Sequence, residues 1–319
     1  MLRPRSQGRR DAPGHRRPPL RCERRRRAAT GGHDPAGDFS ARWKPRDAAL
    51  PAASGERVHR IELHAVDAMV EIAAGVSQEM WTFGGTAPGP VLRGRVGDTF
   101  EVTLVNDGDM GHGIDFHAGE LSPDRPMRTI EPGERLVYRF TAERAGAWLY
   151  HCSSAPMLQH MGNGMYGAVV IDPPDLAPVD QEYLLVSSAL YYGAPGSDPQ
   201  VAAMKAGTPD AWAFNGIATQ YAKAPLTARA GQRVRLWVVA AGPSDGIAFH
   251  VVGAVFDTVY KEGAYLLTPG SPGGSQVLDL APAQGGFVET RFAEAGHYAF
   301  IDHDMRHAEA GERGVLEVK

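Results

Sequence analysis

Residues 137–152 read VYRFTAERAGAWLYHC, and residues 288–303 read VETRFAEAGHYAFIDH. Each stretch is a strand, a turn containing glycine and a second strand. The pattern extends outward on the N-terminal side. RVGDTFEVTLV (95–105) answers to RAGQRVRLWVV (229–239), and IDFH (114–117) answers to IAFH (247–250). Within these pieces apolar residues alternate with polar ones, as in Phe100-Glu101-Val102-Thr103-Leu104, and the turns Gly97-Asp98 and Pro132-Gly133 separate them. Period-two alternation between turn residues marks half-buried strands. Short strands in this number indicate β-sandwiches, and their repetition indicates two of like topology. The expected organisation is a tail over 1–54, one sandwich over 55–174 and a second over 180–319. Helix is expected to be scarce, near 198–206 and 304–310. The repeat matches His117 with His250 and His151 with His303, and leaves Cys152 without a counterpart.

Composition narrows the class. With 319 residues, 43% hydrophobic residues, 38 Gly and 24 Pro, the chain has enough apolar surface for buried cores and no bias toward coiled coil or collagen. No apolar run approaches the ~18 residues of a membrane-spanning helix. Two cysteines, Cys22 and Cys152, exclude a disulfide framework and a four-cysteine zinc site. Charge is unevenly spread: residues 1–27 carry 11 Arg against Asp11 and Glu23, a balance of +9, leaving −13 on the other 292. Nucleic-acid binding is therefore not expected of the folded part, and the arginine-rich tail reads as a solvated, disordered extension. Its arginines suit the n-region of an export signal, but no apolar h-region follows. Cys22 receives no role.

Strand parity sorts the candidate ligands. His112 and His117 differ by an odd number, so they face opposite sides of a regular strand, and Asp115 shares the side of His117. His151 and Cys152 also face opposite sides. One face can therefore gather His112 and Cys152, and the other Asp115, His117 and His151. The first grouping continues through CSSAPMLQHMGNGM, where Cys152, His160 and Met165 are spaced Cys-x7-His-x4-Met. A lone cysteine or methionine in a β-core is ordinarily packing. Two imidazoles, a thiolate and a thioether together suit a blue-type copper, trigonal His2Cys with a weak axial Met. The imidazoles of the second grouping suit copper or zinc with a position open to substrate. Because His151 and Cys152 are consecutive, a few covalent bonds join the two sites.

On these residues the sequence resembles the copper-containing nitrite reductases, over about residues 57–319. DFHA, YHC, HMGNGMYGAVVI and FHVVGAVFDTVY all look like segments of that family, in its variant with the short Cys-x7-His loop. The resemblance implies two tandem cupredoxin-type Greek-key domains, an all-β fold. It implies a type 1 copper on His112, Cys152, His160 and Met165, and a type 2 copper on His117 and His151. The third type 2 ligand would be His303 from a neighbouring subunit of a homotrimer. Asp115 and His250 would be the acid–base pair. The implied reaction is one-electron reduction of nitrite to nitric oxide and water, fed by a small donor protein, a cupredoxin or a cytochrome c, in the periplasm or another extracytoplasmic space.

The segment GELSPDRPMRTIEPGE (119–134) departs from the family, which has a glycine-rich loop there; Glu120, Asp124 and Arg125 make this one charged. His307, four residues after His303, would share its face on a helix and is either a competing ligand or an exposed residue; His303 is favoured as the repeat partner of His151. A laccase-type oxidase needs His-x-His pairs for a trinuclear cluster; the sequence has none, and Ser153 follows Cys152. A pure electron carrier would not need the repeated histidines or Asp115. Reduction of another small molecule, oxygen or hydroxylamine, on the same scaffold is the remaining alternative.

Overall fold

The computed structural model describes residues 37–319. Cys22, His15, His33 and the arginine-rich stretch lie outside the described residues. The first sandwich is built from β1 (Val58–Ala73), β2 (Val76–Phe83), β3 (Leu92–Arg95), β4 (Thr99–Asn106), β5 (Asp115–Phe116), β6 (Arg135–Thr141), β7 (Gly146–His151), α1 (Met157–Gly162) and β8 (Tyr166–Asp172). Its sheets run β2-β1-β4-β6 and β3-β8-β7-β5. Alternation places Phe100, Val102 and Leu104 of β4, and Leu136, Tyr138 and Phe140 of β6, in the core. Gly97 (φ 85°) and Gly133 (φ 83°) adopt the left-handed backbone that the preceding turns require.

The second sandwich follows with β9 (Gln181–Leu190), α2 (Asp198–Ala206), β10 (Ala211–Phe214), α3 (Gln220–Lys223), β11 (Leu226–Ala228), β12 (Arg233–Gly242), β13 (Ile247–Val251), β14 (Thr258–Lys261), β15 (Ala264–Leu267), β16 (Leu278–Leu280), β17 (Gly285–Arg291), β18 (Gly296–Asp302), α4 (Met305–Glu309) and β19 (Arg313–Val318). Its sheets run β10-β9-β12-β17-β14-β15 and β11-β19-β18-β13-β16. The parallel pairs β1·β4 and β3·β8 recur as β9·β12 and β11·β19. Parallel neighbours need crossover connections, so both halves share one Greek-key wiring. The helices expected near 198–206 and 304–310 are α2 and α4; α1 and α3 are additions. Among the described residues no helix is long and apolar enough to cross a membrane.

The register corrects one detail of the repeat. His151 pairs with Tyr166, and the Cys152 N–H donates to the Met165 carbonyl at 3.0 Å. In the second sandwich Ile301 pairs with Arg313, and the Asp302 N–H donates to the Glu312 carbonyl at 3.2 Å. Ile301 thus stands where His151 does, and Asp302 stands where Cys152 does. His303 lies two residues beyond Ile301. Asp115 is opposite His151 and His250 is opposite Ile301, so His250 answers to Asp115 rather than to His117. A shift of two residues keeps every side chain on its face, which is why alternation alone does not detect it.

A shared core joins the halves. Ala147, Leu149 and Ala168 pack with Val186, Trp237 and Phe287. Arg93 reaches across to Glu182 (2.9 Å), which also accepts from Arg235 (2.9 Å) and the Trp237 indole (2.8 Å). Burial pushes the Glu182 carboxyl up, but these three donors outweigh it and hold the group below its ordinary range. Residues 37–54, assigned from sequence to the tail, include a stretch laid along β9: Leu184 donates to the Ala48 carbonyl, and Leu50 donates to that of Glu182.

At Gly285 a Cβ would run into the Ala147 carbonyl, whereas one at Gly273 would meet nothing. Gly285→Val is expected to destabilise the protein by about 1–3 kcal/mol in chemical denaturation. Gly273→Ala should stay within about 0.5 kcal/mol of the parent. Equal midpoints for the two variants would refute this close approach of the sandwiches.

Candidate metal centres

The first donor cluster is assembled from three loops at one end of the first sandwich. His112 is pinned to Ile130 by two backbone hydrogen bonds, 3.1 and 2.8 Å. Cys152 follows the last residue of β7. His160 sits in α1, the short helix between β7 and β8, and the Met165 N–H donates to the His160 carbonyl (3.1 Å) just before β8 begins. The Cys152 Sγ lies 3.4 Å from His160 Nδ1 and 3.9 Å from His112 Nδ1, and the two Nδ1 atoms are 3.3 Å apart. Met165 is fully buried in the same core cluster as Cys152. Trp81 tilts against the His160 ring at 5.1 Å.

Electrostatics favours neutral imidazoles here. Burial, then the neighbouring His160, pushes His112 down to about 4, and burial lowers His160 as well. Burial also pushes the Cys152 thiol up, so a thiolate here needs a cation beside it. Two imidazole nitrogens and a sulfur converge with no charged partner among them. That donor set fits a soft, borderline cation of the copper class, with Met165 as the weak fourth partner.

The second cluster uses the opposite parity. His117 Nε2 and His151 Nε2 are 3.1 Å apart, and Asp115 Oδ2 lies 3.7 Å from the first and 4.0 Å from the second. The His151 Nδ1–H donates to the Cys152 carbonyl at 2.9 Å, which fixes the tautomer and leaves the Nε2 lone pair toward His117. Burial lowers His117, and His151 adds to the effect, while Asp115 opposes it. Asp115 and His117 are partly exposed, so this cluster opens to solvent where the first does not.

His250 and His303 join neither cluster. They meet each other on the second sandwich, ring centroids 5.4 Å apart and edge-on. The His250 Nδ1–H donates to the Gln276 carbonyl at 2.6 Å. The His303 N–H donates to the Ala248 carbonyl, and its ring stands exposed. His307 points elsewhere: it is buried, stacked on Trp212 at 3.8 Å, and bonded to Asp302 at 2.7 Å. The charged segment 119–134 contributes Glu120, which pairs with Arg144 at 3.0 Å on the surface. Sequence reasoning missed Tyr138. It fills a core position in the alternation of β6, yet its hydroxyl is buried without a hydrogen-bond partner, and burial together with the charge of Asp115 pushes it up to about 12.

A multicopper oxidase family profile matches residues 65–176. A copper-containing nitrite reductase of Neisseria gonorrhoeae is 33% identical over 82% of this chain and 68% of its own length. The one from Alcaligenes xylosoxydans xylosoxydans is 31% identical over 77% and 81%. Among solved structures, the copper nitrite reductase of Nitrosomonas europaea superposes with a TM-score of 0.76 at 34% identity, covering 82% of this chain and 94% of that one. Fold and donor clusters together define a two-domain cupredoxin protein. Within that class, the chain belongs to the copper-containing nitrite reductase family.

The orphaned hydroxyl yields a stability test. Tyr138→Phe removes a buried group that makes no hydrogen bond, so it is expected to leave stability unchanged or raise it by about 1 kcal/mol. A loss above about 1 kcal/mol in urea denaturation would reveal a partner for the hydroxyl.

Proposed function

We propose that this chain reduces nitrite by one electron to nitric oxide and water, consuming two protons. The observation that carries the reading is the pair His151–Cys152, which places one residue in each donor cluster and so links them by a few covalent bonds. His112, Cys152, His160 and Met165 would hold a type 1 copper. His117 and His151, with His303 from another copy, would hold a type 2 copper. Copper in these positions supplies a one-electron relay and a Lewis acid.

The chain's own residues do the rest. Burial keeps His112 and His160 neutral, free to act as ligands rather than to hold protons. Asp115, partly exposed and within 4.0 Å of both imidazoles of its cluster, is placed to hold a proton for a nitrite oxygen. His250, oriented through Gln276, is the second proton group. His250 and His303 present their rings on the outer face of the second sandwich, away from the cluster they would complete. In this reading the site is whole only where two copies meet, which supports an oligomer, and the family resemblance makes it a homotrimer. A small cupredoxin or cytochrome c as electron donor, and a periplasmic or other extracytoplasmic location, belong to the same reading.

The test is nitric oxide release from copper-loaded protein, anaerobically, with nitrite and a reduced donor, after two coppers per chain are counted. Release is expected. Its absence with both coppers in place would turn the reading to another small molecule. Asp115→Asn should keep both coppers and lower turnover by roughly 10²-fold or more; unchanged turnover would remove Asp115 from the mechanism. Cys152→Ser should lose the intense visible absorption and keep one copper; retained colour would overturn the type 1 assignment.

A further inference from the structure

The second sandwich contains a third donor cluster that the reaction does not use. Asp302, His307 and Glu312 each bring a ligand atom within 4.8 Å of the others, and all three are buried. Their places in the fold repeat those of Cys152, His160 and Met165. In the first sandwich the loop bonds are Met165 N–H to His160 carbonyl (3.1 Å), Gly164 N–H to Met161 carbonyl (3.0 Å) and Tyr166 N–H to Gly164 carbonyl (2.9 Å). In the second they are Glu312 N–H to His307 carbonyl (3.0 Å), Gly311 N–H to Ala308 carbonyl (3.2 Å) and Arg313 N–H to Gly311 carbonyl (2.9 Å). Gly164 and Gly311 share a left-handed-side backbone, φ 114° and 124°. The loop is therefore conserved within the chain bond for bond, as His-x4-Met in one half and His-x4-Glu in the other. The sulfur donors of the first half are carboxylates in the second.

Burial makes that substitution consequential. Asp302 Oδ1 accepts from the Ala248 and Asp304 N–H groups at 3.0 and 2.9 Å, and its Oδ2 lies 2.7 Å from His307 Nδ1, so a cation bound between them would displace the proton they share. Glu312 is completely buried; the Ser187 hydroxyl and the Asp302 carboxylate stand near its oxygens, but neither makes a well-formed hydrogen bond to them. The buried Ser187 hydroxyl has no other partner. Burial, then the charge of Asp302, pushes the Glu312 carboxyl well above its usual range. Two carboxyls and one imidazole enclosed together require a compensating positive charge or a retained proton. His307 and Asp302 also line a surface groove with Asp245, Asp279, Asp304 and Arg306, in which Asp304 pairs with Arg306 and Asp279 with Lys261.

We infer that Asp302, His307 and Glu312 form a divalent-cation site, the oxygen-donor counterpart of the Cys152–His160–Met165 cluster. Two carboxylates and one imidazole suit a borderline divalent ion such as zinc, and the same donors also take Cu2+. A cation there would tie β18, α4 and β19 together directly behind the loop that carries His303. The site is independent of the nitrite reading.

The experiment uses full-length protein loaded with two coppers per chain and freed of excess copper, incubated with Zn2+, then desalted, with copper and zinc counted per chain. Zinc lies below copper in affinity for such donors, so the resident copper stays. The expected result is about one zinc per chain in the parent and less than a tenth of that in Glu312→Gln, with copper content and visible absorption the same in both. His307→Phe, which keeps a ring against Trp212, is the second variant and should lose zinc likewise. Added Zn2+ should raise the melting temperature of the parent and of neither variant. Equal zinc in parent and variants would overturn the site. So would absence of zinc from the parent, which would mean that Glu312 retains a proton instead.

Discussion

Consecutive residues at the end of a β-strand point to opposite faces, and at His151–Cys152 that constraint determines the rest of the functional architecture. One face of β7 is the dry interior of the first sandwich, where Cys152 meets His112 and His160. The other face packs against the second sandwich through Ala147 and Leu149 and opens only at its end, where His151 meets His117 and Asp115. No insertion or deletion at this point can be absorbed without sending both side chains to the wrong environments. The pairing of β7 with β5 and β8 fixes the point in space, and the bond from the Cys152 N–H to the Met165 carbonyl holds the fourth residue beside it.

The two faces are also electrostatically different. In the interior, burial is the largest cause of the neutral imidazoles and the reluctant thiol, with His160 adding to it at His112. A thiolate there is unfavourable unless a cation accompanies it, so the cluster selects for a tightly held metal rather than for proton exchange. At the open end of the other face a carboxylate stands 3.7–4.0 Å from two imidazoles with solvent access. Charge and protons can come and go. An electron store and a proton-handling site need these opposite environments, and one strand end supplies both.

Much of this was legible in the sequence because it depends on local periodicity. The alternation of 99–105 and 135–141 marks β4 and β6, and odd and even spacing separates His112 from His117. Other features depend on register, and residue types do not encode it. The sequence repeat matches His303 to His151, but strand pairing puts Ile301 there; a two-residue slip conserves parity and so leaves no trace in the pattern. The helix α1 is too short to show a period, and His160 had to be placed by spacing alone. The stretch around Ala48–Leu50 buries Ala48 and Leu50 on either side of exposed Ala49, but three residues are too few to show a period, and two backbone bonds hold it to β9. Tyr138 looked like core because it is core; only the missing partner of its hydroxyl sets it apart.

The two halves use the same loop to different ends, and the difference follows from burial. A methionine at the position of Met165 is content in a dry core whether or not a metal is bound. A glutamate at the equivalent position, Glu312, is not: enclosed beside Asp302, it must keep a proton or acquire a cation. The imidazole between them, His307, is already committed through Nδ1 to Asp302 and through its face to Trp212. Its position is therefore set by groups that hold it whatever the charge on Glu312. The second sandwich thus keeps the geometry of a ligand loop while exchanging soft donors for hard ones, and it does so immediately beneath the exposed His303. Any ordering of that loop passes to His303 through one peptide bond, because Asp302 and His303 are consecutive, as Cys152 and His151 are in the first half.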